Sequence, residues 1–193
     1  MQAPIILASS SVFRKSLLER LHLDFTCHTP EIDESQVQGE SALAYVCRLA
    51  EAKAQSLADK FPDAVIIGSD QCALLDQIIL GKPGGHENAL KQLKAVQGKT
   101  VVFHTGICVL HRATGFTEVD DILYRVRFRQ LSDSQLAHYL QVEQPYDCAG
   151  SFKSEGYGAC LFDAMQGDDQ TALVGLPLIR LISMLENTGI EVI

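Results

Sequence analysis

Apolar residues recur in two rhythms along this chain. Ile5-Ile6-Leu7 and residues 64–68 are unbroken apolar runs, the pattern of strands buried on both faces. Residues 12–23 instead place Phe13, Leu17 and Leu21 four apart, with Leu18 adjacent, which predicts an amphipathic helix. Ser9-Ser10-Ser11 stands before it and supplies cap candidates. Residues 41–61 repeat the helical rhythm through Leu43, Val46, Ala50, Ala54, Leu57 and Phe61, and Pro62-Asp63 ends it.

Further on, residues 72–80 predict a strand that breaks at Gly81-Lys82-Pro83, and 87–96 a shorter helix closed by Gly98. Residues 100–111 and 117–129 are rich in β-branched and aromatic side chains, with Ala113-Thr114-Gly115 between them, and so predict a hairpin. Ser132 and Gln135 form a capping-box signature for a helix reaching about residue 142. Residues 147–158 predict a glycine-rich loop, and Leu176-Pro177 opens a last helix that stops before Gly189. Strands alternating with helices around one hairpin imply a mixed sheet flanked by helices, in the α/β to α+β range. No linker stands out, so residues 1–193 are expected to form a single domain whose lobes share the chain closely.

Composition narrows the function. Hydrophobic residues make up 47% of the 193, enough for a substantial core, so disorder is a poor reading. No apolar run approaches the roughly 20 residues of a membrane helix. The start, Met1-Gln2-Ala3-Pro4, lacks the basic residues of a signal peptide. Six widely spaced cysteines show no zinc-type pairing and are expected to be reduced and mostly buried, which implies the cytoplasm. The net charge of −8 argues against general nucleic-acid binding. A small phosphorylated ligand is still open, given a local basic cluster and a divalent cation.

Five segments could carry such chemistry. Ser9, Ser11 and Arg14 gather at a helix start, where free N–H groups favour an anion. Alone, an ordinary capped helix is the better explanation of them. Glu31, Asp33 and Glu34 offer oxygen ligands for Mg²⁺, or a solvated acidic loop. Gly68-Ser69-Asp70-Gln71 puts a carboxylate at the expected end of an apolar strand, where it could hold metal or polarise water. Lys82, held extended by Pro83, and Lys53 in the second helix are candidate cations, although either lysine alone reads better as a solvated side chain. In residues 150–158, Phe152 and Tyr157 offer ring faces and Glu155 an acceptor. The six histidines show no ligand spacing and are expected to be surface or satisfied core residues.

In this order, LASSSVFRKSLL, PEIDES, EAKA, IIGSDQ, GKP, the hairpin, CAGSFKSEGYG and LVGLPL resemble the Maf family of nucleotide pyrophosphatases over nearly the whole chain. GSDQ and GSFKSEGYG are most similar to its YceF-type branch, whose members act on 7-methyl-GTP. The resemblance implies a Maf/inosine-triphosphatase-like fold, with a central mixed sheet, two lobes and a cleft. It implies a homodimer, a nucleoside triphosphate substrate and a divalent cation, Mg²⁺ or Mn²⁺. It places the proton-accepting carboxylate at Asp70, with Glu34 and Asp70 toward metal. It places Ser9, Ser11, Arg14, Lys53 and Lys82 around phosphates, and Phe13, Gln71 and Glu155 at positions tied to choice of base. Two departures stand out: Val12 replaces the usual proline, and Phe13 the larger ring usual in this branch. Alternatives are a pyrophosphatase for dTTP, UTP or inosine triphosphate, a nucleotide-binding regulator of cell division, and a generic phosphatase.

Overall fold

The computed structural model describes residues 3–193, so Met1 and Gln2 lie outside the described residues. Seven strands and six helices form among these residues, with short 3₁₀ turns between them. In order they are β1 (Ile5–Ala8), α1 (Val12–Glu19), β2 (Phe25–His28), α2 (Ala42–Ala58), β3 (Val65–Leu75), β4 (Ile78–Leu80) and α3 (His86–Val96). There follow β5 (Thr100–His111), β6 (Phe116–Phe128), α4 (Asp133–Glu143), β7 (Phe162–Gln166), α5 (Gln170–Val174) and α6 (Leu178–Glu186). The sheet runs β2-β1-β3-β5-β6-β7, with β4 paired to β3. β1 lies parallel to β2 and β3, whereas β3–β4 and β6–β7 are antiparallel. The expected mixed α/β sheet is therefore what the chain forms.

The chain gathers into two compact units. The first comprises Met1–Asp70, Thr105–Ile122 and Asp169–Ile193; the second comprises Gln71–His104 and Leu123–Asp168. In the first, alternate strand residues feed opposite faces. Ile5, Leu7, Val65 and Ile67 pack with Leu17 and Leu18 of α1 and Leu181, Met184 and Leu185 of α6. Ile6, Ala8 and Ile66 pack with Ala50, Ala54 and Leu57 of α2. This period-two division is what turns apolar runs into a sheet covered on both sides. In the second unit, Phe103, Phe128, Phe152 and Phe162 meet edge to face, with centroids 5.0–5.6 Å apart.

Several expectations need correction. β3 is one strand through Gly68-Ser69-Asp70-Gln71, so Asp70 lies inside a strand and not at its end. α1 stops at Glu19, and Leu43 of α2 is exposed. β2, β7 and α5 had no place in the sequence reading. Phe152 is a core ring, not a ligand platform. Of the cysteines, which are all free, Cys72 and Cys108 are buried while Cys27 is exposed. His111 is buried with no hydrogen-bond partner for Nδ1. The capping box of α4 forms as expected, with Ser132 and Gln135 bonding reciprocally.

Candidate active site

The site in the first unit exists because a helix lies unusually close to the sheet. A Cβ on Gly68 of β3 would sit 2.0 Å from the Ala50 carbonyl of α2, and one on Gly106 of β5 would sit 2.3 Å from that of Val46. Only glycine permits this approach. It carries Lys53 of α2 onto β3, where Nζ bonds Asp70 Oδ1 at 2.6 Å. The same ammonium holds Glu34 Oε1 at 2.8 Å. The Lys53 side chain is 6% exposed and that of Asp70 11%, whereas Glu34 is 55% exposed. A buried ammonium without counter-charges would be costly, and Asp70 and Glu34 supply them.

Glu34 sits on an exposed loop that is strapped to α2. Tyr45 Oη donates to the Glu34 carbonyl at 3.0 Å. Arg48 grips Glu40 with two bonds of 2.7 and 2.8 Å and reaches the Ser35 carbonyl at 3.1 Å. Of the other acidic residues there, Asp33 accepts from the Ser35 N–H, an ordinary turn bond. That leaves Glu34 as the member of the acidic group that joins Lys53.

Across from these groups, α1 begins at an extended Ser11 whose hydroxyl accepts from the Arg14 N–H. Ser9 is buried, and its hydroxyl accepts from the Ser11 N–H at 3.1 Å. Each hydroxyl still carries a proton to donate. Arg14 Nε donates to the Gly175 carbonyl at 2.8 Å, which leaves its terminal amino groups for an anion. Burial pushes the Arg14 pKa down, and the charges of Asp70 and Glu34 oppose that shift. Arg14, Lys53, Asp70 and Glu34 thus form one electrostatic group. The helix start, two hydroxyls and two cations suit phosphate.

Sequence reasoning missed three parts of this assembly. Ser69 is fully buried and contacts the carbonyls of Gly106 and Gly175. Gly175 ends α5 at φ 116°. Asp169 caps α5 through Thr171 and also accepts from the Ile179 N–H, tying the corner between α5 and α6. An Asp-x-Thr cap before a short apolar run was the available signal for the last.

The remaining candidates divide between the units. Phe13 belongs to the first and is 37% exposed. Gln71, Lys82 and Glu155 belong to the second. Lys82 and Glu155 are exposed, and Glu155 accepts from the Ser154 hydroxyl at 3.0 Å. Among the described residues, no three or more His, Cys, Asp or Glu side chains gather as a ready cation cage. Asp70 and Glu34, drawn to one ammonium, are oxygen ligands of the kind that bind Mg²⁺ together with substrate phosphates.

A mixed α/β fold that gathers serine hydroxyls, two cations and two carboxylates suits a protein that handles a phosphorylated ligand. The chain belongs to the Maf family: the pattern described as "Maf-like protein" matches residues 4–188. It is 54% identical over 190 residues to a protein of Methylobacillus flagellatus named 7-methyl-GTP pyrophosphatase, covering 98% of this chain and 99% of that one. A protein of the same name from Pseudomonas fluorescens is 51% identical, covering 98% of each chain. Among solved structures, a HAM1 protein from Coxiella burnetii matches 66% of this chain and 73% of that one at 14% identity and a TM-score of 0.46, a partial likeness that adds nothing to the assignment.

Proposed function

We propose that this chain hydrolyses 7-methyl-GTP to 7-methyl-GMP and pyrophosphate. The observation that carries the reaction is the buried Lys53 ammonium, which holds Asp70 and Glu34 together beside Arg14. Near full-length identity to proteins named for this activity supports the substrate.

Water attacks the α-phosphorus and pyrophosphate leaves. Such a transfer asks the protein for position and charge more than for covalent work. Lys53 fixes one carboxylate oxygen of Asp70, and the other takes the proton from water. Ser9, Ser11 and Arg14 bind and orient the phosphate chain, with Lys53 and Lys82 as further cations. Asp70 and Glu34 would hold Mg²⁺ or Mn²⁺, which supplies charge neutralisation on the phosphates when bound. At the base, methylation makes the ring cationic, so the face of Phe13 suits it by about 0.5–2 kcal/mol. Glu155 can accept from the guanine N1–H and exocyclic amine, and Gln71 completes the selecting set.

The reading extends to a homodimer in the cytoplasm. Family resemblance supports the first, and six free thiols suit a reducing compartment. No helix among the described residues is long and apolar enough to cross a membrane.

A panel of nucleoside triphosphates with Mg²⁺, scored separately for pyrophosphate and for free phosphate, tests the proposal. The expected outcome is pyrophosphate release with 7-methyl-GTP preferred. Release of phosphate alone, or preference for dTTP, UTP or inosine triphosphate, overturns it. Loss of turnover in EDTA with recovery on adding Mg²⁺ or Mn²⁺ is expected, and an unchanged rate removes the metal.

A further inference from the structure

We infer that Ser69 is a positioning residue for phosphate binding, acting through the Gly175 carbonyl on Arg14. The inference rests on the reading of Arg14 as a phosphate ligand and goes one layer behind it.

Ser69 precedes Asp70 on β3, and its side chain is fully buried. Its hydroxyl lies 2.8 Å from the Gly106 carbonyl and 2.9 Å from the Gly175 carbonyl. Both neighbours only accept, and a hydroxyl has one proton, so the two carbonyls share it. A serine needing only to satisfy itself in a core strand would have enough in Gly106, on the neighbouring strand. The contact to Gly175, 106 positions away in sequence, does something more.

Gly175 is the carbonyl that Arg14 Nε bonds. A carbonyl oxygen has two lone pairs, so it can take the guanidinium and the serine together. Gly175 holds φ 116°, and a Cβ there would come to 3.4 Å from Arg14 Nε. Its own N–H is spent on the carbonyls of Thr171 and Ala172. Thr105 Oγ1 bonds the Ala172 carbonyl at 2.9 Å, and Asp169 ties the far side of the corner. Thr105 and Asp169 therefore hold the corner, while Ser69 touches the very oxygen that orients the guanidinium. Arginine presents its donors in a rigid plane, so a fixed Nε sets the direction of both terminal amino groups.

The test is a double-mutant cycle of Ser69→Ala with Arg14→Lys, since lysine keeps the charge and loses the Nε bond. Ser69→Ala alone should raise KM for 7-methyl-GTP roughly 3–10-fold, the worth of one hydrogen bond, with kcat within about twofold. Affinity for inorganic pyrophosphate with Mg²⁺, measured by calorimetry, should fall by the same factor. The ratio of kcat/KM for 7-methyl-GTP over GTP should not move. In the Arg14→Lys background, Ser69→Ala should change neither KM nor pyrophosphate affinity. Equal losses in both backgrounds, or a lowered Tm with KM unchanged, overturn the inference. Should Ser69→Ala not fold, Ser69→Cys keeps the volume with a weaker donor, and the same cycle applies. A wild type that turns over no triphosphate sinks the proposed function, while the pyrophosphate arm still decides the role of Ser69.

Discussion

The two units differ in how they carry most of their candidate charges. In the first, Lys53, Asp70 and Arg14 are held by partners on other elements and largely withdrawn from water. In the second, Lys82 and Glu155 stand exposed on loops, over a core whose specificity lies in four phenylalanine rings. Preorganised charge is what a reaction step needs, because it costs no reorganisation as charge develops. Displayed side chains can adapt to a ligand and so suit selection and capture. Under the proposed function, this difference matches chemistry in the first unit and part of substrate choice in the second.

Asp70→Asn tests this division most severely. The amide cannot accept a proton, so kcat should fall by roughly 10²–10⁴-fold. Glu34 still balances Lys53 at 2.8 Å, so the circular dichroism spectrum and a cooperative melt should persist. Near-normal turnover would remove Asp70 from the chemistry. Lys82→Ala comes next. Loss of one charged contact to phosphate should cost about 10–100-fold in kcat/KM, without the change in Tm that a packed residue brings. A loss as deep as that of Asp70→Asn would mean that the second unit shares in the chemical step.

Phe13 and Glu155 probe selection from both sides of the division. Phe13→Ala should reduce preference for 7-methyl-GTP over GTP by about 2–30-fold, because only the cationic ring gains from the aromatic face. Glu155→Gln should lower kcat/KM for both guanine nucleotides, and more for the methylated one. An unchanged ratio in Phe13→Ala, measured as kcat/KM for each nucleotide, rules out stacking as the source of choice.

Why was the type of this site legible while its geometry was not? Periodicity marks α2 and the apolar half of β3, since burial on one face or on both leaves a repeating trace. Gly, Ser and Asp are depleted in strands, so Gly68-Ser69-Asp70 reads as a turn. Tertiary demands override that preference. Gly68 makes room for α2, Ser69 finds carbonyls on β5 and after α5, and Asp70 finds Lys53. None of these partners is near in sequence. Lys53 by itself reads as a solvated helix lysine, and only the packing of α2 makes it a buried cation. β2, β7 and α5 escaped notice because four or five residues carry too few periods to read, and β2 has two polar positions in FTCH.

The smallest expected effect concerns an exposed part of the first unit, built like the loops of the second. The loop bearing Glu34 is exposed, and Arg48 holds it through Glu40. The Arg48 hydrogen bond keeps the Glu40 carboxyl below its ordinary value of 4.5. A carboxyl lowered in the folded state stabilises fully above that ordinary value and loses its contribution as pH falls through the lowered one. Glu40→Gln should therefore melt slightly below wild type at neutral pH, and the two Tm values should converge as pH drops below 4.5. KM should rise by less than about threefold, because the half-buried Arg48–Glu40 pair only braces the loop and Lys53 still holds Glu34 directly. Because Tyr45 also holds the Glu34 carbonyl, the loop does not depend on Arg48 alone. A KM effect as large as that of Lys82→Ala would show that Glu34 is placed by its loop, and that Lys53 does not suffice to hold it.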